Sequence, residues 1–271
     1  MQDDDLTTEE VAEQLKVSKL TVYDLIKKGE LLSYRVGRQI RVEREALDAY
    51  KNQNKRQQSP TVARTNSSQM IISGQDSSLD VLAKHLNEST PTLQFLRSYM
   101  GSLDGLIAMY QDKADIVSTH LFDGDTGTYN LPYTHKILGS KSYIVLHLMK
   151  RKAGLFVQNG NPKNIHHWED LRRSDLTLAN REAGAGARVL LDEQLRLHNI
   201  NRQQISGYHN IYTSHLDVAS QIANDKVDIG VGSEQAAKIA NVDFIEMIEE
   251  SYDLVVLKTA KNKQVITKLQ A

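Results

Sequence analysis

The 271-residue chain contains no cysteine, which removes disulfides, thiolate zinc sites and thiol nucleophiles from consideration. Redox compartment is therefore not readable from thiols. No stretch approaches the ~18 apolar residues that a membrane helix needs. The opening Met-Gln-Asp-Asp-Asp has neither the basic nor the apolar region of a secretion signal. These absences lead us to expect a soluble, cytoplasmic protein with no membrane partner.

Several chemical signatures are also missing or incomplete. Gly184-Ala-Gly186 lacks the third glycine of a dinucleotide fingerprint, and no Gly-Lys-Ser/Thr follows for a phosphate loop. Asp123-Gly-Asp-Thr-Gly opens like a calcium loop, but Thr134 stands where the bidentate Glu belongs, so a turn is expected. His166 and His167 are adjacent, and adjacent helical side chains point about 100° apart, too far for one metal. No Ser-His-Asp or paired-carboxylate arrangement announces itself. The expectation is a non-enzyme with no catalytic residue, no metal and no cofactor.

What is present divides into two parts. The formal net charge is −1, yet between residues 15 and 44 eight Lys or Arg face three Asp or Glu. That local excess points to nucleic acid. Thr7 and Glu10 form a capping box ahead of Val11, Ala12 and Leu15, which share one helix face. Ser18 caps a second helix carrying Leu20, Val22, Leu25 and Ile26, and Gly29 stops it. Residues 31–36 and 39–42 alternate around Gly37-Arg38 as a hairpin, and 43–50 return to helical spacing. Residues 51–68, rich in Gln, Asn, Ser and Thr, read as a linker whose opening can extend the preceding helix.

The segments Leu6-Thr-Thr-Glu-Glu-Val-Ala-Glu-Gln-Leu, Ser18-Lys-Leu-Thr-Val-Tyr-Asp-Leu-Ile-Lys-Lys-Gly and Tyr34-Arg-Val-Gly-Arg-Gln-Ile-Arg resemble the excisionase-type, MerR-like winged helix-turn-helix. The resemblance implies that the second helix enters a major groove while the wing follows the backbone. Ser18, Lys19, Thr21 and Tyr23 would then meet base edges or phosphates. Lys27, Arg35, Arg38 and Arg41 would meet phosphates.

From residue 69 onward strand and helix signals alternate: strands at 70–72, 93–96 and 115–118, helices at 79–86 and 103–110. Segments 142–149 and 154–158 read as a strand pair leading elsewhere. Then come helix 165–171, strand 176–179, helices 188–197 and 216–223, strand 228–231, helix 234–239 and a last strand at 254–257. Such alternation predicts a mainly parallel α/β sheet. Its most conspicuous stretch is Asn180-Arg-Glu-Ala-Gly-Ala-Gly-Ala-Arg, a glycine turn running into a helix. Gly184 and Gly186 let backbone approach a ligand, the first helical amides lack internal partners, and Arg181 and Arg188 add fixed positive charge. Arg188 has Asp192 one turn away, whereas Arg181 has beside it only Glu182, which cannot face it on a helix.

Together with Ala114-Asp-Ile-Val-Ser-Thr-His-Leu-Phe-Asp, Tyr129-Asn-Leu-Pro-Tyr, Gly160-Asn-Pro-Lys, Thr213-Ser-His-Leu-Asp-Val-Ala and Asp228-Ile-Gly-Val-Gly, this stretch resembles the molybdate-binding-like branch of the type II periplasmic-binding-protein fold, in the version fused to a DNA-binding domain. The resemblance implies an N-terminal winged helix-turn-helix at 1–50, a linker at 51–68 and a two-lobed α/β sensing domain at 69–271. Lobe 1 would hold about 69–145 and 245–271, and lobe 2 about 150–240. In similar sequences the turn usually reads Gly-Ser-Gly-Thr-Arg, whereas Ala185 and Ala187 replace the two hydroxyls here. Each lost hydrogen bond to a charged oxygen is worth about 1.5 to 3 kcal/mol, roughly ten- to a hundredfold in affinity. The change weakens molybdate or tungstate and opens the site to another small anion or an anion-bearing metabolite.

Ligands of such sheets sit beyond the carboxyl ends of the strands. The candidates are therefore Ser73, Gln75, Asp76, Ser102 and His120 from the first lobe. Arg181, Gly184, Gly186, Arg188, Thr213, Ser214 and His215 come from the second, with Tyr129, Asn130 and Tyr252 near the cleft edge. Taken together the two parts predict a one-component transcriptional regulator that binds a double-stranded DNA operator as a homodimer and senses a small anion. The rivals are an excisionase-like architectural protein and a cleft enzyme tethered to DNA.

Overall fold

The computed structural model describes residues 5–27, 29, 31–37, 39–56 and 68–270. Contacts divide the chain into Met1–Thr65 and Asn66–Ala271. In the first unit Thr7 caps α1 (Thr8–Leu15). Its hydroxyl accepts from the Glu10 amide at 3.2 Å, and the Glu10 carboxylate accepts from the Thr7 amide at 2.7 Å. Ser18 opens α2 (Lys19–Lys27) by accepting from the Thr21 amide at 3.1 Å. β2 (Tyr34–Val36) and β3 (Gln39–Glu43) pair antiparallel as the wing.

One strand escapes sequence reading: β1 (Asp5–Thr7) adds to β3, giving a sheet of order β1-β3-β2. It is too short to show alternation. α3 (Arg44–Arg56) runs through positions 51–56 of the expected linker, residue 68 begins β4, and 57–67 lie outside the described residues. Leu6, Val11, Val22, Leu31, Val42 and Leu47 close a small core between helices and sheet.

The second unit is built on one eight-stranded mixed sheet. β4 (Ser68–Ser73), α4 (Ser78–Ser89), β5 (Leu93–Ser98), α5 (Ser102–Tyr110) and β6 (Ile116–Thr119) form parallel β/α units. A two-stranded hairpin, β7 (Phe122–Asp123) and β8 (Thr128–Tyr129), leads into α6 (Leu131–Leu138). The Asp123 segment is a turn, its carboxylate accepting from Thr126.

Next comes β9 (Tyr143–Val157), a single strand where sequence spacing had predicted two. Lys150-Arg-Lys, between the two expected strands, is too polar to continue an apolar strand pattern. In the structure these cations face acids on β13 (Asp243–Leu257), with Lys150 to Glu249 at 2.6 Å, Lys152 to Glu246 at 2.5 Å, and Arg151 opposite Glu250. The same acids hid most of β13 from sequence reading.

Between these long strands lie β10 (Leu178–Arg181), α7 (Gly186–Leu197), β11 (Ile211–Tyr212), α8 (His215–Ala223), β12 (Ile229–Ser233) and α9 (Glu234–Ala240). The helix expected at 165–171 is only a 3-10 turn, Trp168–Arg172. The chain closes with α10 (Lys263–Leu269), which sends Val265, Ile266 and Leu269 into the core shared with α4 and β4. The strand order β11-β10-β12-β9-β13-β6-β4-β5 makes two lobes, each with apolar clusters on both faces of its part of the sheet. β9 and β13 belong to both lobes.

Candidate functional site

A cavity of about 360 Å³ opens between the lobes. Its wall takes Gln75 and Asp76 from the loop after β4, Gly101 and Ser102 from the start of α5, and Ser118 and His120 from the end of β6. From the other side come Ser214 and His215 at the start of α8, and Ser233 and Gln235 at the β12–α9 junction. Arg151 of β9 and Tyr252 of β13 supply the floor. Apart from Arg151 and Tyr252, which lie within long strands, these positions follow from strand ends and helix starts meeting at one edge of the sheet.

Two imidazoles face each other there, their ring centroids 6.4 Å apart, with His120 also 5.6 Å from the Tyr252 ring. Ser102 Oγ accepts from the His120 amide at 3.3 Å and lies 3.1 Å from His120 Nδ1, where the ring tautomer decides which of the two is the donor. His120 Nε2 is a buried atom with no hydrogen-bond partner among the described residues. His215 Nδ1 accepts from the Ser233 amide at 3.1 Å, which leaves its proton on Nε2.

Burial holds His120 well below the ordinary imidazole range, reinforced by Arg151, His215 and Arg181. Burial does the same to His215, with Arg181 and Arg151 adding repulsion. Both rings are therefore neutral. The Ser102–His120 contact lacks the third group that would orient an imidazole for nucleophilic catalysis among the described residues.

Arg151 is the guanidinium that lines the cavity. It donates to Asp76 at 2.7 Å and to Glu250, and its guanidinium lies 4.3 Å from the Tyr252 ring centroid. Burial pushes the Glu250 carboxyl up, against the pull of Arg151. Burial also raises the Tyr252 phenol to about 12, although its hydroxyl donates to Ser118 Oγ at 2.9 Å.

Several residues expected at the ligand lie behind the wall. Ser73 is fully buried under Gly105 of α5. Arg181 is 1 % exposed, because it ends β10 and turns inward. There it meets Glu182 at 2.8 Å, Gln75 Oε1 at 2.7 Å and the Thr213 carbonyl at 3.0 Å. The expectation that Glu182 could not reach it assumed a helix, whereas the backbone is extended. Arg181 Nη1 is left without a partner among the described residues.

Arg188 pairs with Asp192 at 3.0 Å, donates to the Arg181 carbonyl and stacks 4.2 Å from the Tyr208 ring centroid, all inside the second lobe. The Thr213 hydroxyl donates to Asp217, and Ser214 caps α8 while still lining the cavity. Asn130 is buried, bridging Thr119, Leu121, Ser251 and Asp253 beneath the cleft.

The glycine turn is pressed against the first lobe. Gly184, at φ +88°, accepts through its carbonyl from the Leu103 amide at 2.9 Å, and a Cβ on Gly101 would stand 2.8 Å from that same oxygen. A Cβ on Gly186 would stand 2.3 Å from the His120 ring. Ala185 and Ala187 are both buried, the latter in the second lobe's core. Sequence reasoning missed Arg151, Ser118, Ser233 and Gln235, which no local pattern marks.

In the first unit, Lys19, Thr21, Tyr23 and Lys27 lie exposed on α2, while Val22 beneath them is buried. Ser18 Oγ is taken up by its cap and by Thr21 Oγ1 at 2.8 Å. Lys19 pairs with Glu9 and sits 5.9 Å from the Tyr23 ring centroid. Arg35 is exposed on β2 and Arg41 partly so on β3, whereas Arg38 lies outside the described residues. This is an exposed helix face and a basic wing on one small scaffold. Among the described residues no helix is long and apolar enough to cross a membrane, and no cluster of His, Asp and Glu is placed to hold a metal ion.

The comparisons agree with both halves. A helix-turn-helix domain model matches residues 6–55 and a PBP superfamily domain model matches 83–271. The uncharacterized protein YvgK of Bacillus subtilis (strain 168) is 51% identical over 274 residues, covering 96% of this chain and 87% of its own length. An ABC-type phosphate transport receptor from Vibrio cholerae aligns at TM-score 0.53 with 16% identity, over 75% of this chain and 94% of its own. The Synechocystis PCC6803 CcmR regulatory domain in complex with 2-PG aligns at TM-score 0.53 with 10% identity, over 75% and 96%. At these identities the solved structures speak for the fold alone. The chain belongs to the PBP superfamily, with a helix-turn-helix domain joined ahead of the two-lobed domain.

Proposed function

We propose that this protein is a ligand-responsive DNA-binding transcriptional regulator whose interlobe cleft senses a small anion. The observation that carries the ligand half is unmet hydrogen-bonding capacity at the cleft: His120 Nε2 in the cavity wall and Arg181 Nη1 behind it are both buried without a partner among the described residues. Unmade bonds of this kind cost free energy, and with the Arg151 guanidinium and the His215 N–H in the cavity wall the fitting ligand is one that supplies acceptors, as an anion does. The phosphate receptor and the 2-PG complex named above are in keeping with this, each for its own protein. Gln75, Asp76, Ser102, His120, Ser214 and His215 are the proposed contacts, with Arg151 and Tyr252 added by the geometry. Arg181, Gly184 and Gly186 act through lobe closure.

The DNA half rests on Lys19, Thr21, Tyr23 and Lys27 in a groove and Arg35 and Arg41 on the backbone, with Arg38 assigned to the wing on sequence grounds. The winged, excisionase-like subtype belongs to this proposal, as do a homodimer on a pseudo-palindrome and action in the cytoplasm. Ligand preference for the closed lobes would alter operator affinity about five- to 150-fold, the usual range of 1 to 3 kcal/mol couplings. A thermal-shift screen of the full chain over molybdate, tungstate, sulfate, phosphate and small carboxylates tests the reading. At a hundred times Kd the true ligand adds about 2.7 kcal/mol. If no anion in the series shifts the melting of the sensor domain, the cleft is not an anion site.

A further inference from the structure

Resting on that reading, we propose that the ligand is a small organic acid, a singly charged carboxylate with an apolar body, rather than a bare doubly charged oxyanion. The charges around the cleft are already answered. Arg151 is held by Asp76 and Glu250, and Arg181 by Glu182. Two guanidiniums against three carboxylates leave no positive surplus for an arriving dianion, and even a proton on Glu250 brings the balance only to zero. The remaining donors are neutral imidazoles, hydroxyls and amides. The cost of removing an ion from water rises with the square of its charge, so a dianion demands about four times what a carboxylate does.

A second observation concerns shape and polarity. Met100, Leu216 and Ile239 line the cavity with Ala236, yet they are 39%, 43% and 64% exposed. Large apolar side chains left open around a cleft mark a surface that an apolar partner covers. The 360 Å³ space corresponds to about a dozen water molecules at ~30 Å³ each, far more than a tetrahedral oxyanion fills. The polar wall holds the carboxylate, and the apolar rim covers the rest of the acid.

The test titrates the full chain by calorimetry with straight-chain carboxylates from acetate to hexanoate, with benzoate, with hexanamide, and with molybdate and phosphate. Affinity is expected to rise about fourfold per added methylene until the cavity is filled. Hexanamide should bind at least tenfold more weakly than hexanoate. Leu216→Ser should flatten the chain-length slope. Molybdate or phosphate binding more tightly than every carboxylate overturns the organic-acid assignment and leaves the anion-sensor reading standing. Binding by none of them overturns both, and equal binding of hexanamide and hexanoate removes the anion while keeping the apolar rim.

Discussion

The glycine turn from Arg181 to Gly186 and the crossover ribbon of β9 and β13 approach the same cleft from opposite directions of legibility. The turn announces itself in the sequence with glycines, arginines and a helix start. In the structure it mainly joins the lobes, through the Leu103 to Gly184 bond and the Gln75 to Arg181 and Glu182 bonds. The ribbon looks like charged surface strand, yet it contributes Arg151 and Tyr252 to the cavity and the buried Glu250 behind them. Conspicuous sequence therefore marks where the lobes meet, while the floor of the pocket comes from long-range pairing.

The contrast can be broken most forcefully at Arg151. Arg151→Ala leaves Glu250 buried without its partner and should cost about 3 to 5 kcal/mol in urea unfolding of the sensor domain. Replacing both Arg151 and Glu250 by Leu should recover most of that loss. A loss under about 1 kcal/mol for the single variant would show that the pair is not a buried charge site. Gly101→Ala should cost about 1 to 3 kcal/mol and weaken ligand binding, since its Cβ meets backbone at 2.8 Å across the lobe interface. Unchanged stability and binding would mean that the lobes do not close through this contact.

Ala187→Thr sharpens the comparison further. It should cost about 1 to 3 kcal/mol by burying a hydroxyl in the second lobe's core, without improving molybdate affinity. A gain in molybdate affinity would return the turn to the role its sequence advertises. The mildest effect is pH. Both cleft histidines have depressed folded values, so the unfolded chain takes up protons first as pH falls below ~6.5. Stability is thus full above that value and declines below it, and melting between about pH 7.5 and 5.5 should show the decline. His120→Gln with His215→Gln should flatten it, and an unaltered slope would assign the loss to other groups.

Much of the fold was legible because its signals are local. Thr7 and Glu10 specify a helix start within one turn, Ser18 does the same for α2, and the β/α alternation from 70 to 118 needs only periodicity. The long strands resisted because Arg151 and Glu250 are 99 residues apart in sequence and each is polar where a strand core would be apolar. α6 and α10 were missed as well. Of the cleft, the strand-end residues Gln75, Asp76, His120 and His215 could be read from the general rule about strand carboxyl ends. The inward turn of Arg181 could not, because it depends on β10 ending one residue before Glu182.

β9 and β13 are continuous through both lobes, and their pairing slips twice, between Glu246 and Ile248 and between Tyr252 and Asp253. At such a slip a strand bends and its local twist increases. The second slip falls on the residue whose ring lies over Arg151 and whose hydroxyl reaches Ser118. The second irregularity and the floor of the pocket are thus one piece of backbone, and that piece is common to both lobes.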